Sequence, residues 1–255
     1  MKKTTMTSGR LAIRLDELLR VRTIPDDSLN GLQVANSGKL TRIATAVDAS
    51  AASIRKAVEA KADFLIVHHG LFWGKPVPIT GPLHARIRLL VESDLALYAA
   101  HLPLDLHPEL GNNVQLCLKM GWKSSYEFGD YHGVTIGRGV NLRKPIPLES
   151  VTEKLRAVTR EEPVVWRFGP AQARRVAVIS GGAMGIIQQV ACEGYDTFVT
   201  GEFGHAHYWF AREAGINVVF GGHYATETLG VRALGAKIED EFGLESRFLD
   251  LPTGY

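Results

Sequence analysis

Cysteine is nearly absent from this chain: Cys117 and Cys192 are its only two, far apart in the sequence. Their spacing excludes a disulfide framework, a cysteine zinc knuckle and a vicinal redox pair, and both read as reduced thiols of a cytoplasmic protein. Long apolar runs are missing too, and none could cross a bilayer. The start, Met1-Lys2-Lys3-Thr4-Thr5-Met6, is basic, but Thr7-Ser8-Gly9-Arg10 stands where a secretion signal needs its apolar core. Charge of one sign is also lacking. Lys and Arg number 29 against 27 Asp and Glu, a net charge of +2 without a basic block, which argues against a broad nucleic-acid surface. There is no Gly-x-Ser-x-Gly elbow and no Cys–His motif, so covalent catalysis has no evident nucleophile.

What is present is an ordinary globular composition, 45% hydrophobic and 22% charged over 255 residues, enough for one large domain or two small ones. Strand-like and helix-like patterns alternate, which predicts an α/β architecture with largely parallel sheets. A helix is expected from about Gly9 to Arg20 with Ser8 as its cap. A strand follows over Thr41–Val47, ending at Asp48, then a helix over Ser50–Ala60 and a buried strand over Phe64–Val67. A helix over Pro82–Glu92 and a strand over Leu95–Ala100 complete the first series. The second half repeats the order: strand Arg175–Ile179, a turn at Ser180-Gly181-Gly182, a helix to about Glu193, strand Thr197–Thr200, a helix over His205–Glu213, and strand Asn217–Phe220. Ala62-Asp63-Phe64-Leu65-Ile66-Val67 aligns with Tyr195-Asp196-Thr197-Phe198-Val199-Thr200. The expectation is two similar, mainly parallel α/β units related by internal duplication, 1–125 and 126–255, with a metal site between them and the last helix and strand packing back on the first unit. Gly-rich alternation over Tyr126–Pro147 predicts a short antiparallel excursion, and a helix is expected from about Glu149 to Thr159.

Two signatures carry the chemistry. Ala99-Ala100-His101-Leu102-Pro103-Leu104-Asp105 and Gly221-Gly222-His223-Tyr224-Ala225-Thr226-Glu227 each place a histidine four residues before a carboxylate, after an apolar strand. Val67-His68-His69-Gly70 adds adjacent histidines at another strand end. Together they offer five or six nitrogen and oxygen ligands, enough for two metal ions of hard or borderline character. His68 and His69 point to opposite faces of a strand and converge only if it ends there, and Gly70 is the expected break. His223 and Glu227 share a face if a helix begins near Gly222 and runs towards Leu234. His101 and Asp105 are expected on a loop, because Pro103 interrupts a helix. Glu202 occupies the place in the second unit that His69 has in the first, as a group behind a ligand or as a general base. His205 and His207 are expected to open a surface helix, and His84, His107 and His132 to be solvated or structural. Ser180-Gly181-Gly182-Ala183-Met184-Gly185 lacks a Walker lysine and a full dinucleotide fingerprint, so it reads as a tight turn before a phosphate loop. Asp27-Ser28-Leu29-Asn30-Gly31-Leu32-Gln33-Val34 reads as a turn or the lining of a cleft.

These residues, with Gly111-Asn112-Asn113, resemble in order and over nearly the whole chain one family: the dinuclear-metal-centre hexameric proteins, GTP cyclohydrolase I type 2-like. The chain is similar to its short form, which lacks a long central insertion. The resemblance implies a toroidal homohexamer with two divalent ions per subunit, zinc, iron, manganese and nickel all being compatible. It implies His68, His69, Asp105, His223 and Glu227 as ligands, Glu227 bridging, and His101 beside them. The implied activity is metal-dependent hydrolysis of a small molecule, a nucleotide being the expected class. In a GTP-cyclohydrolase-type reaction, hydroxide attacks C8 of guanine, the imidazole ring opens and formate leaves. His101 or Glu202 moves protons, and Gly181-Gly182 or Arg138 meets the triphosphate. A two-metal phosphoesterase would use the same ligands. The alternative from another class is a non-enzymatic toroidal metal-binding scaffold or regulator, associated with nucleic acid despite the near-neutral charge.

Overall fold

The strand expected over Phe64–Val67 runs two residues further and carries both histidines in its last two positions. This computed structural model of the protein describes residues 6–255, so Met1–Thr5 of the basic start lie outside the described residues. The chain forms two α/β units: residues up to Leu104 together with Val231–Leu251, and Asp105–Gly230 together with Pro252–Tyr255. In chain order, the first unit contains α1 (Ser8–Leu18), β1 (Gly31–Val34), β2 (Arg42–Asp48), α2 (Ala51–Glu59), β3 (Phe64–His69), α3 (Gly81–Glu92), β4 (Ala96–Ala99) and most of the short α4 (Leu102–Asp105). The second contains α5 (Asn112–Lys119), β5 (Tyr126–Tyr131), β6 (Val134–Pro147), α6 (Leu148–Thr159), β7 (Val164–Trp166), β8 (Gln172–Val178), α7 (Ile187–Cys192), β9 (Thr197–Thr200), α8 (Tyr208–Glu213) and β10 (Asn217–Phe220). Helix α9 (His223–Phe242) begins in the second unit and ends in the first, where β11 (Glu245–Phe248) follows. None of the described helices is long and apolar enough to cross a membrane.

The first sheet has the order β1-β4-β3-β2-β11 and the second β5-β6-β8-β9-β10-β7. Strands β2, β3, β4 and β11 are parallel, and β1 pairs antiparallel with β4. In the second sheet β8, β9 and β10 are parallel, and β7 pairs antiparallel with β10. Each unit therefore repeats one scheme: a short edge strand directly precedes three consecutive parallel strands and pairs antiparallel with the last of them. The aspartates aligned from sequence play one part twice. Asp63 accepts the N–H groups of Thr41 and Arg42 at the start of β2, and Asp196 accepts those of Arg174 and Arg175 in β8. This shared device supports duplication beyond the cheap similarity of any strand–helix–strand chain.

Local sequence explains the elements that aim the site. Phe64, Leu65, Ile66 and Val67 have no exposure, the mark of a parallel strand covered on both faces. Burying each of the larger apolar side chains there contributes about 1.5–3 kcal/mol. Helix α2 starts on a reciprocal cap, in which Ser50 and Ser53 each accept the other's backbone N–H. The expected cap of α1 is one residue off: Thr7, not Ser8, accepts the Arg10 N–H. The antiparallel excursion is present as the β5–β6 hairpin. Two expectations are corrected. Asp27–Val34 is more than a turn, since Gly31–Val34 is the edge strand beside β4. Leu102–Asp105 is a turn of helix, because Pro103 sits in its first turn, where the missing N–H has no intrahelical acceptor to lose.

Candidate metal centre

Strand order brings β2, β3 and β4 side by side, so their carboxyl ends share one rim of the first sheet, the usual place for chemistry in an open α/β sheet. His68 and His69 end β3, and His101 follows β4 by two residues. One ligating atom from each lies within 4.8 Å of the others, and together they could hold a metal ion. The ring centroids of His68 are 4.7 Å from His69 and 5.0 Å from His101.

All three rings are held in the same way. His68 Nδ1 donates to the Ala100 carbonyl at 2.9 Å, His69 Nδ1 meets Asp48 Oδ1 at 2.8 Å, and His101 Nδ1 meets both oxygens of Asp26 at 3.0 and 3.1 Å. An acceptor at Nδ1 fixes the proton there and puts the lone pair on Nε2, the arrangement by which outer groups orient metal-binding imidazoles. Asp26 is itself tightly held. Burial would raise its pKa, but His101, the Asn30 amide and the Ser28 N–H outweigh that and keep it below the ordinary carboxylate value. Trp73 and His101 make a T-shaped contact, with centroids 4.9 Å apart, and Trp73 donates Nε1–H to the Gly70 carbonyl.

Gly70 is required for a different reason from the one expected. Its backbone is not in the left-handed region. A Cβ there would come within 2.6 Å of the Ala99 Cβ and overlap the Gln33 amide. The close passage of β4 and the loop, not turn geometry, demands glycine.

The second unit carries an imidazole–carboxylate group. His223 opens α9 and Glu227 follows one turn later, with Nε2 3.2 Å from Glu227 Oε2. His223 Nδ1 is 2.7 Å from Glu202 Oε2, so Glu202 holds this ring as Asp48 and Asp26 hold theirs. Burial depresses the His223 pKa, but Glu227 and then Glu202 raise it further, to about 9. Without a metal, the ring carries a proton at neutral pH. Glu227 is buried, with 4% of its surface exposed. Asp105 accepts from the Asn112 amide at 2.8 Å and lies 3.4 Å from Ser180 Oγ. Asn112 and Asn113 lock this corner by accepting the N–H groups of Gly230 and Ser180.

The Ser180–Gly182 turn serves these carboxylates rather than a phosphate. Gly181 has φ +65°, and a Cβ on it would overlap Glu227 Oε1 and stand 3.2 Å from His223 Nε2. A Cβ on Gly182 would stand 3.0 Å from Glu202 Oε1. Without a metal, two carboxylates facing the turn disfavour an anion there. Arg138 is likewise committed, its guanidinium donating to Ser125 Oγ and carbonyl oxygen. His205 and His207 form a single turn leading into α8, and His107 Nδ1 accepts the N–H groups of Glu109 and Leu110. The turn at His205 and His207 opens α8, as expected. Asp26 and Asp48 were not singled out from sequence. Asp48 had a usable signal, since it ends the strand next to β3 and pairs in register with His69.

The donors suit hard or borderline divalent ions: imidazole Nε2 atoms with outer acceptors in one unit, and an imidazole with one buried and two half-buried carboxylates in the other. Glycines stand where a Cβ would fill the space the carboxylates need.

A model of the Duf34/NIF3 (NGG1p interacting factor 3) family matches residues 6–253. A Deinococcus radiodurans protein named "GTP cyclohydrolase 1 type 2 homolog" is 45% identical over 240 residues, covering 94% of this chain and 91% of its own. Among solved structures, TTHA1606 from Thermus thermophilus superposes with a TM-score of 0.89 at 42% identity, covering 98% of this chain and 100% of that one. The protein ybgI, described as of unknown function, gives a TM-score of 0.90 at 35% identity over the same shares.

Proposed function

This chain belongs to the Duf34/NIF3 family, and on that premise we propose that it is a dinuclear metal-dependent hydrolase of the GTP cyclohydrolase 1 type 2-like kind, acting on a nucleotide. The observation that carries the reading is common to four imidazoles. His68, His69, His101 and His223 each have Nδ1 on an acceptor, and three of the four acceptors are carboxylates. An acceptor on Nδ1 leaves Nε2 of His68, His69 and His223 to a metal ion and Nε2 of His101 to a proton.

In this reading His68, His69, Asp105, His223 and Glu227 would hold two divalent ions, Glu227 supplying a buried carboxylate. Bound there, the ions would acidify a water and polarise the electrophile. The chain's own residues do the rest. Asp26 holds His101 with its proton on Nδ1, so Nε2 accepts a proton and later returns it as the ring opens. Glu202 fixes His223, and Gly181 leaves room for the Glu227 carboxylate. The homohexamer and the cytoplasmic setting implied by the resemblance belong to the same proposal, and light scattering at six times the chain mass tests the former.

The test is turnover of GTP, other nucleotides and phosphodiesters by metal-loaded protein, with formate release as the readout. His101→Ala is expected to keep its metals and lose about 10²–10⁴ in rate. Glu227→Ala is expected to lose both metal and turnover. Unchanged turnover in a folded Glu227→Ala protein overturns the reading.

A further inference from the structure

Past the carboxyl ends of β9 and β10, wholly within the second unit, lies a cavity of about 220 Å³. Phe203, Phe220, Tyr224 and Tyr255 give it apolar walls, and Glu161 and Glu202 bring carboxylates to it. Among the described residues, no Lys, Arg or His lines it. Glu162 also reaches the wall, but Arg156 takes both of its oxygens, at 2.7 and 2.6 Å. Glu161 makes no ion pair among the described residues, and it lies over the Gly222 turn, where an added Cβ would stand 3.9 Å from its Cγ. Phe203 is half exposed (51%) and Phe220 is buried, so one aromatic ring is open to a ligand and the other is part of the floor. Glu202 belongs both to this wall and to the His223 pair, which sets the cavity directly against the ligand group of its unit.

A small cavity with aromatic walls and few polar groups takes a flat, mostly apolar ligand and reads its edge. Glu161, with no ion pair among the described residues, disfavours phosphate. Carboxylates accept from N–H groups, and two adjacent donors meet one carboxylate in a bidentate pair. A guanine edge offers such a pair, the ring N1–H beside the 2-amino group. Adenine sets an acceptor, N1, beside its amino group, and that acceptor would face the carboxylate.

We propose that this cavity is the base pocket of the substrate: a guanine-type heterocycle lies with its face on Phe203 and its donor edge on Glu161, with the phosphates outside. The proposal rests on the nucleotide-hydrolase reading and names the part of the chain that selects the base.

Calorimetric titration of the full-length, metal-loaded protein with guanosine, adenosine and inorganic triphosphate tests it, with metal content measured on each sample. Wild-type protein is expected to bind guanosine at least tenfold more tightly than adenosine. Glu161→Gln is expected to erase that preference, and Phe203→Ala to weaken both nucleosides at least tenfold, with metal content unchanged in both variants. Triphosphate binding without guanosine binding overturns the pocket, as does guanosine affinity unmoved by both substitutions. A protein with two metals but no nucleoside binding overturns the pocket alone. Guanosine selectivity that depends on Glu161 in a protein holding no metal supports the pocket and overturns the hydrolase reading.

Discussion

Replacing Gly181 by alanine probes the candidate centre without touching a ligand. The residue sits at φ +65°, and holding alanine in the left-handed region costs roughly 1–2 kcal/mol. For a chain of this size that lowers Tm by about 2–8 °C. The larger effect is local. The new methyl would stand 3.1 Å from Glu227 Cδ and 3.2 Å from His223 Nε2, and would overlap Glu227 Oε1. The backbone cannot easily yield, because the Gly181 N–H donates to Thr226 Oγ1 at 3.0 Å and its carbonyl accepts from Gly201 and Glu202 at 3.0 and 3.1 Å. The Glu227 carboxylate must therefore swing away. Loss of an outer partner alone weakens metal binding about 10–100-fold, and displacing a ligand is expected to do at least that. Titration of metal-free protein with zinc reads the affinity. Gly185→Ala is the control, since a Cβ there meets nothing within 4 Å. Zinc affinity within twofold of wild type in Gly181→Ala would refute the assignment of Glu227 as a ligand.

Three other predictions follow from the same geometry. Asp48→Ala removes the acceptor of His69 and is expected to weaken metal binding about 10–100-fold with little change in Tm, as Asp48 is partly exposed; zinc titration beside a melting curve checks this. His223 holds its proton up to about pH 9, so a metal must displace it, and apparent affinity should rise about tenfold per pH unit from 7 towards 9. The sign for folding is opposite. The raised His223 pKa stabilises the metal-free protein fully below the ordinary histidine value, and that contribution fades as pH rises through 9; flat zinc affinity across this range would contradict the assignment. In Asp63, burial opposes but Lys39 and Thr41 more than offset it, lowering its pKa, so its contribution holds above the ordinary aspartate value and fades as pH falls through the lowered one. Asp63→Asn should destabilise by about 1–3 kcal/mol at neutral pH, with the gap to wild type closing in acid, as read by urea unfolding across pH.

Much of the fold was legible because its parallel strands are short apolar runs between amphipathic helices, and periodicity reports that directly. The strands that went unread, β1 and β7, are four- and three-residue edges with a single fully buried side chain between them. Too little apolar surface enters the core there to mark them. At the site, the His68-His69 pair and the His223–Glu227 spacing were visible because the ligating atoms are close in sequence. Asp26 and His101 are far apart in sequence and meet only through the β1–β4 pairing, so no local pattern could join them. Gly70 and Gly181 were visible as glycines but not as spaces, since the atoms that exclude a Cβ come from Ala99, Gln33 and Glu227.

The most direct measurement is metal content per chain by elemental analysis, on protein purified without chelator, for wild type and Glu227→Ala. The account predicts about two divalent ions per wild-type chain and a clear loss in a variant that still folds. Near-zero metal in folded wild-type protein, or two ions retained in Glu227→Ala, would contradict it.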